Sequence, residues 1–234
     1  MTFVYAVVPA HMASTRFPGK VLAPIAGVTM LERVWRAAER CRFGSLILGT
    51  PDLSLAQLWA DAGRAVRITS VAHKRCTDCV AQAALEELPD QEDIIVNIQS
   101  DEPLVEPDEI RRLVERLEST GADMAILARP IAPEERTDPN AVKVVRSATG
   151  RFLYSTRAPI ATDLRMAGIF AWRPEALDRY AMLPESPLET LEACDSNRLL
   201  DHDGFDVMVE VAPRAVPSVD VPADIARVEK FLAG

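Results

Sequence analysis

The chain begins with the stretch Phe3–Lys20, FVYAVVPAHMASTRFPGK, in which an apolar run gives way to prolines, small residues and the cations Arg16 and Lys20. No second alternating strand follows, so the stretch is not a hairpin turn. It does not match the phosphate-binding motif G-x-x-x-x-G-K-[ST] either, because Val21 follows Lys20 and the glycine spacing differs. The pattern predicts a buried strand followed by a long loop.

Similar apolar runs recur along the chain and predict the fold class. They read SLILGT (45–50), AVRITS (65–70), DIIVNIQS (93–100), DMAILARPI (123–131) and VKVVRS (142–147). Helical patterns cover Met30–Cys41, Leu53–Ala62, Thr77–Leu88 and Pro107–Ser119. Runs rich in Val and Ile that alternate with helices are typical of parallel strands covered on both faces. The chain is therefore predicted to be an α/β protein with a doubly wound, mostly parallel sheet.

The pattern changes after about Arg129, where proline, arginine and short β-like runs become frequent. We expect residues 129–173 to form a small antiparallel excursion from the main sheet. Helices are predicted around Glu175–Tyr180 and over Pro187–Leu200, followed by a strand in DVMVEVA (206–212). A terminal helix is expected in SVDVPADIARVEKFLA (218–233), capped by an Asp or a nearby residue. One domain is expected to span residues 1–234.

Composition limits the possible functions. The 234 residues carry a net charge of -9, which argues against general binding of nucleic acid. No apolar run approaches the length of a membrane span and no secretory segment is evident, so we expect a cytoplasmic protein without membrane partners. Cys76 and Cys79 form a C-x-x-C pair without a second pair or nearby histidines at ligand spacing. Reduced thiols without a metal are the expectation for them.

Three polar segments follow predicted strands, where ligands bind in doubly wound sheets. The first loop has small residues that allow backbone N–H groups to approach a ligand, and its two cations suit a polyphosphate. Asp101 and Glu102 follow the strand in VNIQSDEP, where a carboxylate can hold Mg²⁺ beside phosphates. Asp220 follows the final strand. The alternatives are a solvated surface loop for the first segment and turn or cap residues for the carboxylates.

Several motifs together resemble one family. PAHMASTRFPGK (9–20) is similar to the P-A-R-x-x-S-T-R-L-P-G-K motif of the 3-deoxy-manno-octulosonate (KDO) cytidylyltransferases, and VNIQSDEP (96–103) to their V-N-[VI]-Q-G-D-E-P. PNAVKVV, YSTRAPI, SPLE and SVDVPADIARVE match further family segments in the same order. The similarity covers nearly the whole chain.

The resemblance implies a nucleotide-diphospho-sugar transferase-like fold and an enzyme that moves CMP from CTP onto an acidic acceptor, with release of pyrophosphate. It implies Mg²⁺ held by Asp101 and Asp220, and a homodimer joined through residues 129–173, with VKVVRS and GIFAWR as apolar strands for the contact. Lys20, Arg16 and Asp101 are the implied catalytic residues. The implied nucleotide contacts are Ala10, His11, Ser14, Arg16, Lys20, His73, Arg75, Thr77, Gln99 and Ser100. The implied acceptor contacts are Gln99, Arg157, Arg165, Met166 and Glu189.

The chain departs from the family pattern at several positions. His11 replaces an arginine, and Arg75, Cys76 and Cys79 replace Ser, Gly and Arg near the base. Met166 and Phe170 replace a His and a Tyr, and the stretch before Arg165 is short. KDO, or a related sugar acid, is the first acceptor considered. The alternatives are another acid such as a phosphonate, and a catalytically silent nucleotide-binding relative; the departures suggest the hypothesis that KDO is a poor substrate.

Overall fold

A nine-stranded sheet runs through the computed structural model, which describes residues 2–234. The strands are β1 (Val4–Pro9), β2 (Pro24–Ile25), β3 (Val28–Thr29), β4 (Ser45–Thr50), β5 (Ala65–Ile68), β6 (Ile94–Ile98), β7 (Met124–Pro130), β8 (Lys143–Arg146), β9 (Phe152–Thr156), β10 (Leu164–Trp172) and β11 (Val207–Val211). The helices are α1 (Met30–Cys41), α2 (Leu53–Asp61), α3 (Cys76–Leu85), α4 (Pro107–Thr120), α5 (Pro174–Met182), α6 (Pro187–Glu192) and α7 (Asp224–Ala233). Among these described residues, no helix is both long and apolar enough to cross a membrane.

The sheet is mostly parallel, which confirms the predicted fold class. Its main path runs in the order β11-β7-β10-β6-β1-β4-β5, and β2 pairs with β3 in a separate small hairpin. β1, β4, β5 and β6 pair in parallel, as do β7 and β11, whereas β10 is antiparallel to both of its neighbours. Of the predicted excursion, only β8 and β9 lie off this path. β10 returns to the centre of the sheet between β6 and β7.

The central strands are buried on both faces. In β1, Val7 packs on one face with α3 and α5, and Val8 packs on the other with α1 and α4. Successive side chains of a strand point to opposite faces, so an uninterrupted apolar run supplies both layers of core at once. The parallel pairing of β1 with β6 places the carboxyl ends of the two strands side by side.

The predicted helix over Pro187–Leu200 is wrong in its extent. α6 ends at Glu192, Ala193 adopts a left-handed conformation with φ of 49°, and a short 3-10 helix covers Asp195–Leu200. The interruption has a tertiary cause. The Glu192 carboxylate accepts hydrogen bonds from Thr156 and from the backbone of Arg157, and Asp195 accepts one from Thr77 at 2.5 Å. These contacts from other elements outweigh the local preference for a continuous helix.

A buried ionic cluster joins the end of β6 to β7 and to the start of α4. Arg129 is fully buried on β7 and donates to Glu102 Oε2 at 2.6 Å and to Glu109 Oε2 at 2.8 Å. Glu109 also accepts from the Glu106 N–H, which completes a capping box at the start of α4. Because Glu102 directly follows Asp101, this cluster determines where the loop after β6 lies.

We expect Arg129→Met to lower the free energy of unfolding by about 3–5 kcal/mol, because the change leaves two buried carboxylates without their counter-charge. Urea denaturation measures the loss. Arg136→Met is the control, since Arg136 pairs on the surface with Asp163, whose side chain is 92% exposed. The control should stay within about 0.5 kcal/mol of the wild type, and equal losses in the two variants would contradict the role given to Arg129.

Candidate active site

A cleft of about 620 Å³ opens where the loops after β1 and β6 meet the segments before β8 and after β9 and β11. It lies outside the carboxyl ends of parallel strands, where ligands bind in such sheets. Twelve of the residues predicted from the sequence line it: His11, Ser14, Arg16, Lys20, Arg75, Gln99, Ser100, Asp101, Arg157, Arg165, Met166 and Asp220.

The first loop is held in a defined shape by its backbone. Gly19 has φ of 72°, a conformation that favours glycine, and its N–H donates to the Met12 carbonyl at 2.9 Å. The Met12 N–H in turn donates to the carboxylate of Asp52 at 2.8 Å. The Pro-Gly-Lys sequence therefore turns the chain back so that Lys20 points into the cleft with little of its side chain exposed.

Two ion pairs bring together both cations and both carboxylates singled out in the sequence. Lys20 Nζ lies 2.8 Å from Asp101 Oδ2 and donates to the Val219 carbonyl at 3.3 Å. Arg16 Nη2 lies 2.8 Å from Asp220 Oδ1, and Arg16 Nη1 donates to Asn140 Oδ1 at 2.5 Å. Four charged groups from three distant parts of the chain therefore face one another in the cleft.

The pKa values of the two carboxylates shift in opposite directions. Burial opposes the charged form of Lys20, but the adjacent Asp101 carboxylate outweighs it and raises the pKa of Lys20. Burial likewise opposes ionisation of Asp101, yet Lys20 holds the pKa of Asp101 below its usual range. Asp220 behaves differently: burial, and then the negative charge of Asp101, raise its pKa from 3.8 to about 6. The two carboxylates are close enough for one to disfavour the charge on the other.

Gln99 packs against Gly168 of β10, where the glycine has no side chain. Its N–H donates to the Gly168 carbonyl at 2.8 Å, and a Cβ on Gly168 would lie 2.6 Å from Gln99 Oε1. The pairing of β10 with β7 is interrupted between Met166 and Phe170, around this glycine. Gln99 thus enters the cleft between the first loop and β10.

The two arginines predicted to bind the acceptor differ in their surroundings. Arg157 donates to the carbonyls of Pro139, Asn140 and Glu192 at 3.0–3.2 Å, and so links two loops at the cleft. Arg165 is 3% exposed. Its guanidinium donates to the carbonyls of Met166 and Val216 and to Ser218 Oγ.

Of the two substitutions noted on β10, only one reaches the cleft. Met166 lines the cleft, whereas Phe170 is buried in the core layer with Val7 and Trp172. Phe170 is therefore a packing residue in this structure.

Four predicted ligand contacts lie outside the cleft lining. Ala10 is buried and its N–H bonds to Gly49, while Thr77 is buried and bonded to Asp195. His73 contacts Gln82 at 2.7 Å in a neighbouring cavity of about 650 Å³. Glu189 is fully buried between Arg75 and Arg198. Their contacts with a ligand stay predictions.

Several cleft residues were not among the sequence predictions. Asn140, Cys194, Asp195 and Ser218 all line it. Asn140 lies in the PNAVKVV motif, so its position carried a signal, but Asp195 reaches the cleft only because the chain turns at Ala193. All four cysteines are free, and Cys76 lines the cleft while Cys79 contacts Thr69 at 3.3 Å.

Cations and carboxylates that converge beyond the strand ends of an α/β sheet suit chemistry on phosphate groups, and comparison with known proteins identifies the class as nucleotidyltransferase. The family model described as cytidylyltransferase matches residues 5–204. The 3-deoxy-manno-octulosonate cytidylyltransferase of Syntrophotalea carbinolica is 37% identical, with 99% of each chain covered, and that of Koribacter versatilis is 36% identical over 97% of this chain and 89% of its own. A solved structure of CMP:2-keto-3-deoxy-manno-octonic acid synthetase complexed with CTP superposes with a TM-score of 0.87, 28% identity and 99% coverage of both chains.

This chain belongs to the 3-deoxy-manno-octulosonate cytidylyltransferase family. The family membership and the fold implied by the sequence motifs are thereby confirmed.

The raised pKa of Asp220 predicts a pH-dependent effect on stability. The folded protein favours the protonated carboxyl, so this stability contribution is complete below pH 3.8 and is lost as pH rises through about 6. Asp220→Asn removes the unfavourable charge and should raise Tm at pH 8, by roughly 2–4 °C for each kcal/mol gained.

Calorimetric scans from pH 4 to pH 8 test this expectation, and the gain in Tm should shrink towards pH 4. Asp163→Asn is the control, because that side chain is 92% exposed. A gain for Asp220→Asn that is the same at every pH would rule out the charge-based explanation.

Proposed function

We propose that this protein transfers CMP from CTP onto KDO and releases pyrophosphate. The convergence of Lys20, Arg16, Asp101 and Asp220 in one cleft carries the proposal, because triphosphate chemistry requires cations and metal-binding carboxylates at one place. The full-length similarity to relatives named for this reaction supports it. A catalytically silent relative is not favoured, since all four charged groups are present and face one another.

KDO is the acceptor that the relatives' names favour. The hypothesis of a poor KDO substrate rested partly on Phe170, which packs in the core and has no access to an acceptor. Met166 remains as a departure within the cleft, where it removes one polar group from the lining. Gln99 and Arg157 remain as polar candidates for contact with a sugar acid.

The cations act on the triphosphate. Lys20 is nearly buried and held in place by Asp101 and the Val219 carbonyl, so it loses little conformational freedom when a phosphate arrives. Arg16 is more exposed, at 44% of its side chain, and can exchange its contacts with Asp220 and Asn140 for phosphate oxygens. An arginine can bind a phosphate through two parallel hydrogen bonds, which orients the group for attack.

Asp101 and Asp220 fit a Mg²⁺ ion in their chemistry. Both are hard oxygen donors, and the Val219 N–H, next to Asp220 in the chain, bonds to the Asp101 carbonyl at 3.2 Å. Within residues 2–234 no three His, Cys, Asp or Glu side chains gather as a complete ligand set. Magnesium is commonly bound by one or two carboxylates together with substrate phosphates and waters. When bound, it would neutralise charge that develops on the phosphates.

A cytoplasmic location is part of the proposal. Its support is the set of four free cysteines, because thiols persist in a reducing compartment.

The function is tested by pyrophosphate release from CTP and Mg²⁺ with KDO. We expect kcat/KM of about 10⁴ M⁻¹s⁻¹ or above for KDO, the usual enzyme range. Lys20→Ala and Arg16→Ala should each weaken CTP binding or turnover by about 1.5–3 kcal/mol, the contribution of a charge-assisted contact. Calorimetry with CTP separates binding from turnover.

Arg151→Ala is the matched control, because Arg151 forms a surface ion pair with Asp206 away from the cleft lining. It should bind CTP as the wild type does. Pyrophosphate release with a phosphonate but not with KDO would show that KDO is not the acceptor. The proposed reaction with CTP would still hold.

We further propose a homodimer that uses β9. β9 pairs with β8, and on its other edge the backbone of Ser155 bonds to the Asn197 side chain, but Leu153 on this strand is 51% exposed. The GIFAWR strand expected to form the contact lies in the centre of the sheet and has no free edge, so that part of the sequence prediction is wrong. An exposed apolar side chain such as Leu153, on a strand outside the main path of the sheet, gains from burial against a second copy.

Light scattering at micromolar concentration should report twice the 25.7-kDa mass of the chain. Leu153→Lys should shift the equilibrium towards monomer, because it places a charge in the apolar contact. Leu58→Lys is the control, since Leu58 is similarly exposed, at 50%, but lies on α2. A wild-type monomer, or equal effects of the two substitutions, would exclude the β9 dimer.

A further inference from the structure

The segment that carries Asp220 has few backbone contacts of its own. After β11, the Ala212 N–H bonds to the Ala128 carbonyl, and the next backbone–backbone bond within residues 2–234 is from the Val219 N–H to the Asp101 carbonyl at 3.2 Å. Asp224 then accepts from the N–H groups of Asp220 and Val221, at 2.9 Å each. Side chains must therefore hold residues 213–218, which are without a hydrogen-bonded ladder.

Arg165 supplies the contacts that this segment lacks. Its Nη2 donates to the Val216 carbonyl and its Nη1 lies 3.4 Å from Ser218 Oγ. The Val216 and Val219 side chains are buried on the same segment, in a small apolar cluster with Ile25. Arg165, on β10, thus anchors residues 216–218 through hydrogen bonds.

Arg165 is in turn fixed by buried carboxylates. Its Nε lies 3.4 Å from Glu135 Oε1 and its Nη1 lies 3.9 Å from Glu102 Oε1. Glu102 is held by the fully buried Arg129 and also accepts from the Gly168 N–H at 3.2 Å. A continuous buried set of charges therefore runs from Arg129 through Glu102 and Arg165 to the segment before Asp220.

Two arginines contact this part of the chain, and they differ in exposure. Arg16 pairs with Asp220 but is 44% exposed and, under the proposed function, turns to the triphosphate. Arg165 also borders the cleft but is only 3% exposed, and it donates to the Val216 carbonyl inside the protein.

We propose that Arg165 is a positioning residue that holds residues 216–220 against Asp101 and so sets the spacing of the two carboxylates. The inference deepens the proposed function and rests on its assignment of Asp101 and Asp220 to the metal. It reassigns Arg165, which the sequence motif places among the acceptor contacts.

The test uses the full chain with Arg165→Met and three measurements. Mn²⁺ affinity is measured by electron paramagnetic resonance without nucleotide, and we expect it to weaken about 10–100-fold, as for groups that orient metal ligands. Hydrogen exchange of the Val219, Asp220 and Val221 amides, whose N–H groups are hydrogen-bonded, should speed up. In steady-state assays kcat should fall, while KM for KDO stays within about twofold of the wild type, since no acceptor contact is removed.

Arg136→Met is the matched control, because it removes a surface arginine whose partner Asp163 is exposed, and all three measurements should stay as in the wild type. If Arg165→Met does not fold, Ser218→Ala removes one of the contacts without leaving a buried carboxylate unpaired. It should change Mn²⁺ affinity and exchange in the same direction by a smaller factor.

The possible results distinguish a failure of the positioning role of Arg165 from a failure of the metal assignment to Asp101 and Asp220. A tenfold rise in KM for KDO with unchanged Mn²⁺ affinity and exchange would show that Arg165 binds the acceptor, and would overturn the inference. Asp101→Asn and Asp220→Asn test the metal assignment directly, since each should abolish Mn²⁺ binding. Should they bind Mn²⁺ normally, the metal assignment fails, and unchanged exchange in Arg165→Met would independently reject the anchoring role.

Discussion

The buried guanidinium of Arg129 is the constraint on which the cleft depends. A charge removed from water on every side is tolerated only with its counter-charges in place, and Glu102 and Glu109 supply them at 2.6 and 2.8 Å. Such a cluster is costly to break and directional, so it fixes the segment after β6, the start of α4 and the carboxyl end of β7 relative to one another. Asp101 is one residue from this cluster and takes its position from it.

The charged groups that line the cleft are paired with one another. Lys20 with Asp101, and Arg16 with Asp220, satisfy each other's charge across the loops after β1, β6 and β11. Electrostatic catalysis gains most when the charged groups need little rearrangement as the reaction proceeds. In this protein Lys20 is nearly buried beside Asp101 and the Val219 carbonyl, whereas the Arg16 side chain is 44% exposed.

The sequence motifs and the structure agree most closely where a residue's role follows from its immediate neighbours. Gly19 and Lys20 belong to a loop whose shape depends on a positive φ and a short turn: Gly19 has φ of 72°, and Lys20 lines the cleft. Agreement is weaker where the role depends on another element. Phe170 and Met166 are four residues apart on β10, yet only Met166 reaches the cleft, because Phe170 lies opposite Asn97 within β6 whereas Met166 lies beyond the carboxyl end of that strand.

The sequence by itself determined the alternation of strands and helices, the parallel class of the sheet, and the charged residues at the strand ends. These features follow from apolar periodicity and local motifs, which are properties of neighbouring residues. Only the tertiary structure decided that β10 enters the centre of the sheet, that the helix after Pro187 breaks at Ala193, and that Arg165 faces inward to Val216. Each of these depends on hydrogen bonds and buried charges between residues far apart in the chain, and no local pattern records which distant partner satisfies a buried group.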